Sequence, residues 1–186
     1  MIYPIVAYGS PLLKVRAKDI SQDYPKLDQL ILDMYETMYQ ANGVGLAAPQ
    51  IGLSIRLFVM DASGLADEEP ELEGLKKVFI NPLITAEAGK EWSFNEGCLS
   101  IPGIREDIFR KPGVEIEYYD ENFVYHKERF SGKAARIIQH EYDHLEGILF
   151  VDKVSSLKKK LISGKLKDIM NGKVNADYRM RFGVKI

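Results

Sequence analysis

Apolar residues recur along the chain at two periods, three-to-four and two, and these separate predicted helices from predicted strands. Between Pro25 and Ala41, the positions Leu27, Leu30, Ile31, Met34 and Met38 are apolar, with Asp28, Asp33 and Glu36 between them. That spacing predicts an amphipathic helix against a core, ended by Asn42-Gly43. Ala134, Ala135, Ile137, Ile138 and Leu145 cover much of the circumference of a second helix, with Ser131 as N-cap and Gly147 as stop. It is expected to be central and largely buried. A third helix is predicted over Ser156–Met170, with Leu157, Leu161, Leu166 and Ile169 apolar and Lys158, Lys159, Lys160, Lys165 and Lys167 mostly outward.

Period two marks the strands. Ile55–Met60, Val78–Ile80, Leu83–Ala88 and Glu91–Asn95 read as short strands, and Val114–Tyr119 with Phe123–Phe130 as a hairpin around Asp120-Glu121-Asn122. Asp61–Gly74 is expected to be a solvated acidic loop, and Gly9-Ser10-Pro11 a turn or helix start. Weak alternation at Tyr178, Met180 and Phe182 adds a candidate strand in the tail, Val174–Ile186. Together these predict an α+β fold in which short antiparallel strands surround the 134–145 helix, with residues 1–186 forming a single catalytic domain.

Composition narrows the classes. The 186 residues, 46% of them hydrophobic, suffice for one well-filled core. A net charge of -2 argues against nucleic-acid binding through overall charge, and no sequence-specific nucleic-acid contact is expected. The longest apolar runs, such as Ile148–Val151, are too short to cross a bilayer, and Met1–Ile20 lacks a signal-peptide pattern. The expected location is the cytoplasm, without membrane contact. One cysteine excludes an internal disulfide and leaves Cys98 as a buried hydrophobe, a reactive thiol or a metal ligand.

The chemistry centres on Gln139-His140-Glu141-Tyr142-Asp143-His144. A spacing of four puts His140 and His144 one turn apart on one helix face, able to reach one metal ion, with Glu141 beside them as a base. A catalytic metal of this kind takes three protein ligands and keeps one position open. Six residues beyond His144, where extended zinc-peptidase motifs place a third histidine, stands Phe150. Asp168 is the downstream acid of the peptidase alternative, but its lysine-rich setting reads as a solvated face. His126 sits in a strand, where a histidine is more often surface or core than ligand. Cys98 remains, flanked by Gly97 and preceded by a strand. Gly43-Val44-Gly45-Leu46-Ala47-Ala48-Pro49-Gln50 lacks the lysine and spacing of a phosphate loop, and the segment before it reads as helix.

Three segments carry a family resemblance: Gly43–Gln50, Glu96-Gly97-Cys98-Leu99-Ser100 and Gln139–His144. In order and approximate spacing they resemble the signature motifs of the peptide deformylases. The resemblance implies a hydrolase that removes the formyl group from N-formylmethionyl nascent peptides, releasing formate. It implies Cys98, His140 and His144 as metal ligands, Glu141 as general base and acid, and Gln50 with the Leu99 N–H as oxyanion donors. Val44, Gly45 and Gly97 are implied to contact the substrate, Ile137 to line its methionine pocket and Arg105 to stand near the peptide's far end. The implied native ion is Fe(II), replaceable by Zn, Ni or Co. Arg136 stands where many members carry an apolar pocket residue, and the tail after Gly172 departs from the helical C-terminus of the best-known bacterial members.

Rival readings are a zinc metallopeptidase using the same helix, a domain with a purely structural metal, and a basic module docking on the ribosome through Lys158–Lys173. A structural site is normally closed by four ligands, and three good ones are present. A transient ribosome contact is compatible with catalysis.

Overall fold

The computed structural model describes residues 1–183. Strand β1 (Ile5–Val6) leads through a 3-10 turn at Pro11–Lys14 to helix α1 (Leu27–Gln40), then to β2 (Gly45–Ala47), a 3-10 turn at Ala48–Ile51, and β3 (Leu57–Asp61). β4 (Lys76–Ala88), β5 (Trp92–Cys98), β6 (Ile101–Arg110), β7 (Gly113–Tyr119) and β8 (Tyr125–Ser131) follow. Helices α2 (Gly132–Leu145) and α3 (Ser156–Met170) and the short β9 (Met180–Arg181) complete the described chain. One antiparallel sheet runs β2-β3-β4-β7-β8; β5-β6 form a separate antiparallel ribbon, and β1-β9 a parallel pair.

The alternation of β3 sets the layers. Successive side chains on a strand point to opposite faces. Leu57 and Val59 therefore pack with Leu30, Met34 and Met38 of α1, while Phe58 and Met60 pack with Ala135 and Ile138 of α2. Phe58 and Phe79 stack at 4.5 Å on the α2 side. Burying one such ring contributes about 1.5–3 kcal/mol. A third cluster joins Ile101, Ile104 and Ile108 of β6 to Phe150 and to Ile162, Leu166 and Ile169 of α3. α2 thus lies between the large sheet and the ribbon, and both of its sides are covered.

Its ends are fixed by specific contacts. Ser131 occupies the N-cap but makes no side-chain cap bond; Glu69 accepts from the Lys133 N–H at 3.2 Å instead. At the other end Gly147 has φ +71, and Ile148 N–H donates to the Asp143 carbonyl at 2.9 Å, a glycine-terminated C-cap. A Cβ at Gly147 would stand 2.7 Å from the Lys14 backbone, so the residue must be glycine on two counts.

The α+β expectation holds, with several corrections. The strands predicted at Val78–Ile80 and Leu83–Ala88 are one, because Asn81-Pro82 is absorbed as a bulge in which the Asn81 side chain bonds both backbone groups of Ile20. Glu91–Asn95 extends to Cys98. β6 had no predicted counterpart; its buried positions 101, 104, 108 and 110 do not alternate regularly. The acidic loop is not simply solvated, since Leu72 is buried against the α2 cluster. Leu157 and Leu161 point to solvent, 70% and 75% exposed, and Ile162 takes the inward place. Among the described residues the tail strand covers Met180–Arg181 and runs parallel to β1; residues 184–186 lie outside the described residues. Among the described residues no helix is long and apolar enough to cross a membrane.

Candidate metal centre and substrate cavity

One helical turn on α2 places the His140 and His144 rings 5.1 Å apart, centroid to centroid. The end of β5 brings Cys98 to them: Cys98 Sγ lies 3.3 Å from His144 Nε2, and one ligand atom from each of the three residues falls within 4.8 Å of the others. His144 is 1% exposed and lies behind the other two. Burial, followed by the nearby His140, holds the His144 imidazole well below its usual pKa. For His140 burial acts in the same direction, but the contacts with Cys98 and Glu96 outweigh it and raise its pKa.

Glu96 organises the back of the centre. Its Oε1 accepts from Arg110 Nε (2.7 Å) and Arg136 Nη1 (2.9 Å); its Oε2 accepts from Arg110 Nη2 (3.0 Å) and lies 3.0 Å from His140 Nδ1. A carboxylate only accepts, so His140 Nδ1 carries the hydrogen and Nε2 is left for the cluster. Burial works against a charged Glu96, yet the bonds from His140 and Arg110 outweigh it and hold the carboxyl well below its ordinary range. Arg110 Nη1 also donates to Asp143 Oδ2 at 2.6 Å.

The residues present fit a divalent metal ion. A thiol and two imidazoles converge, and the neighbouring Glu141 Oε2 is buried without a hydrogen-bond partner among the described residues. Such mixed sulfur and nitrogen donors suit iron, zinc and their neighbours. Burial pushes the Glu141 carboxyl up to about 7.

A cavity of about 580 Å³ opens in front. Val44, Gly45 and Gln50 line it from one segment, Gly97, Cys98 and Leu99 from the second, and Ile137, His140 and Glu141 from α2; Arg105 joins them from β6. Every predicted site residue except the recessed His144 therefore borders it. Gln50 Oε1 accepts from the Ala47 N–H at 2.9 Å, which directs Nε2 toward Cys98 Sγ (3.5 Å) and Ser100 Oγ (3.4 Å). Gly45 touches Glu141 so closely that a Cβ there would stand 2.5 Å from Oε1. Arg105 is held by Asn95, through Nε to Oδ1 (2.9 Å) and Nη2 to the carbonyl (2.6 Å). A Cβ at Gly97 would meet Arg105 Nη1 at 2.8 Å.

Arg136 borders the cavity, but its guanidinium serves the interior. It donates to Glu96, to the Ile108 carbonyl (3.0 Å) and to the Trp92 carbonyl (2.9 Å), and lies 4.7 Å from the Trp92 ring centroid. The alternative ligands stay away. His126 pairs with Asp120 at 2.8 Å in the β7-β8 hairpin, Asp168 is exposed on α3, and Phe150 stacks 6.2 Å from the His140 ring.

Sequence reasoning assigned no role to Glu96, Arg110, Asp143 or the tail residues Asn175–Tyr178, which also line the cavity. Arg110 did leave a signal, because it continues the apolar face of Ile104 and Ile108.

The sequence model of the polypeptide deformylase family covers residues 2–160. The chain belongs to the peptide deformylase family. Among curated peptide deformylases it is 60% identical to that of Christiangramia forsetii and 58% identical to that of Flavobacterium johnsoniae, each alignment covering 98% of this chain and 96% of the relative. Among solved peptide deformylase structures, the Arabidopsis thaliana 1B enzyme in complex with an inhibitor superposes with a TM-score of 0.82 at 37% identity, covering 91% of each chain. The Legionella pneumophila peptide deformylase gives 0.81 at 37% identity, over 93% of this chain and 98% of that one. As a peptide deformylase family member the chain is metal-dependent, which agrees with the Cys98, His140 and His144 cluster.

Proposed function

We propose that this chain removes the N-formyl group from the N-terminal formylmethionine of newly made proteins, releasing formate. The observation that carries the reading is convergence: three segments far apart in sequence deliver Cys98, His140, Glu141 and Gln50 to one cavity, with His144 completing the cluster. The metallopeptidase alternative is not favoured, since its downstream acid, Asp168, is exposed on α3 and Cys98 stands beside the histidines.

In this reading Cys98, His140 and His144 hold a divalent metal, which supplies Lewis acidity to the attacking water. Glu141 takes the water's proton as the hydroxide adds to the formyl carbon. The Nε2 of Gln50 and the N–H of Leu99 donate to the oxygen that gains charge, each worth about 2.7–4 kcal/mol if prearranged. Glu141 then returns the proton to the departing amine as the C–N bond breaks, and formate leaves. Val44, Gly45 and Gly97 receive the peptide backbone, the first side chain enters beside Ile137, and Arg105 stands toward the far end. Iron(II) is assigned as the native ion, with zinc, nickel or cobalt as substitutes; elemental analysis of anaerobically purified protein reads this directly. The site of action is assigned to the cytoplasm, with a transient ribosome contact through the exposed lysines of α3. Unchanged ribosome co-sedimentation after charge reversal at Lys158, Lys159 and Lys160 would remove that contact.

The decisive experiment compares formate release from a formyl-Met peptide by wild type and Glu141→Gln, with bound metal assayed in both. Release by wild type, lost in the variant at equal metal content, is expected. No release from fully loaded wild type would overturn the reading.

A further inference from the structure

The tip of the β5-β6 ribbon is weakly pinned by its own strands. Pairing stops at Cys98 and Ile101, after a register break between Gly97 and Cys98, and Leu99-Ser100 form the turn between. The carbonyls of those two residues are held from elsewhere. Tyr178 Oη donates to the Leu99 carbonyl at 2.8 Å, and the Tyr8 N–H donates to the Ser100 carbonyl at 2.8 Å.

Both donors belong to the β1-β9 region. The Ile5 N–H donates to the Arg179 carbonyl (2.8 Å) and the Ala7 N–H to the Arg181 carbonyl (2.9 Å), which fixes the tail beside the cavity it helps to line. The Tyr178 and Leu99 side chains also pack on the same core cluster. The Arg181 guanidinium presses on Gly52, the residue closing the turn that carries Gln50. The tail therefore braces both loops from which the cavity receives its hydrogen-bond donors.

We infer that Tyr178 is a positioning residue for the deformylation reaction, its hydroxyl holding the Leu99-Ser100 turn so that the Leu99 N–H is aimed at the developing oxyanion. The inference rests on the proposed reaction and on the role given there to Leu99. A donor in a free turn would have to be oriented during the reaction, whereas a braced one is oriented beforehand. Displacement of a catalytic group by about 1 Å lowers rates by as much as about 100-fold, so loss of one brace is expected to cost on the order of 10-fold.

The test is Tyr178→Phe in the full, metal-loaded chain. The ring is kept and only the hydroxyl is removed. Formate release from a formyl-Met dipeptide should fall on the order of 10-fold in kcat, with KM within about twofold and metal content unchanged. A merely structural role would lower Tm and leave kcat alone, so a kcat within twofold of wild type would overturn the inference. Deleting residues 174–186 should reproduce the loss in kcat if the shortened chain folds; Tyr178→Phe decides the matter if it does not. Absence of formate from loaded wild type would instead remove the deformylase reading itself.

Discussion

Gly45→Ala should separate folding from chemistry. Gly45 lies in β2 opposite Met60 and its φ is ordinary, so alanine meets no backbone strain there. The methyl group would stand 2.5 Å from Glu141 Oε1 and 2.8 Å from both Cγ and Cδ. Comfortable carbon contacts lie at about 3.5–4.0 Å, so roughly 1 Å of movement is required. β2 is locked between β3 and the buried helix, while Glu141 has rotatable bonds, so the carboxylate moves first. Overpacking costs about 1–3 kcal/mol, offset by about 0.4–1 kcal/mol from the stiffer unfolded chain. The Tm should then fall by only a few degrees, at about 2–4 °C per kcal/mol. A base displaced by 1 Å costs about 100-fold in kcat, near 2.7 kcal/mol in barrier. Steady-state formate release, a thermal melt and a metal assay on the same preparation measure all three quantities. A variant that binds metal and turns over within threefold of wild type would refute the argument that Gly45 is small for the sake of Glu141.

Cys98→Ser replaces a thiolate donor with a poor one, and metal should be lost on dialysis together with activity; a peptidase-type site would keep both. Arg136→Met keeps much of the side-chain volume but leaves Glu96 short of one partner and the Ile108 and Trp92 carbonyls without their donor. Breaking such a buried pair costs about 3–5 kcal/mol, so calorimetry should show Tm lower by about 6–20 °C. Because Glu96 contacts His140, competition with a chelator should also show about 10–100-fold weaker metal binding; an unchanged Tm would contradict the buried geometry.

The helices were legible because a period of 3.6 in apolar residues survives wherever a helix lies on a core, as Leu27 to Met38 shows. The Cys98, His140 and His144 cluster was legible as a candidate because one helix carries two histidines at a fixed spacing and the chain has one cysteine. β6 was obscured by Pro102-Gly103 and by Arg110, a charge on the buried face whose partners come from β5 and α2. Long-range pairings leave no local period. The same holds for the tail, whose bond to Leu99 crosses 79 positions, and for Glu69, which reaches the α2 N-terminus across 64. For Arg136 the resemblance implies only that a charge stands where many members carry an apolar pocket residue; the partner Glu96 reveals which way the guanidinium turns.

The buried charges around α2 have a consequence for Glu141. Arg110 and Arg136 bring two positive charges close to the centre, and either could in principle seize the nearest carboxylate. Both are instead engaged by Glu96, and Arg110 also by Asp143, which Lys153 approaches from the surface at 3.1 Å. All three nitrogens of Arg110 and both terminal nitrogens of Arg136 are bonded elsewhere, and among the described residues Arg136 Nε and Glu141 Oε2 are both left without a partner. A guanidinium on Glu141 would stabilise its charged form and weaken it as a base. Buried ion pairs are seldom a net gain in stability over apolar packing. Their value here is positional: Glu96 holds the His140 imidazole by its far nitrogen while engaging both arginines, which leaves Glu141 free for the proton transfers of the proposed reaction.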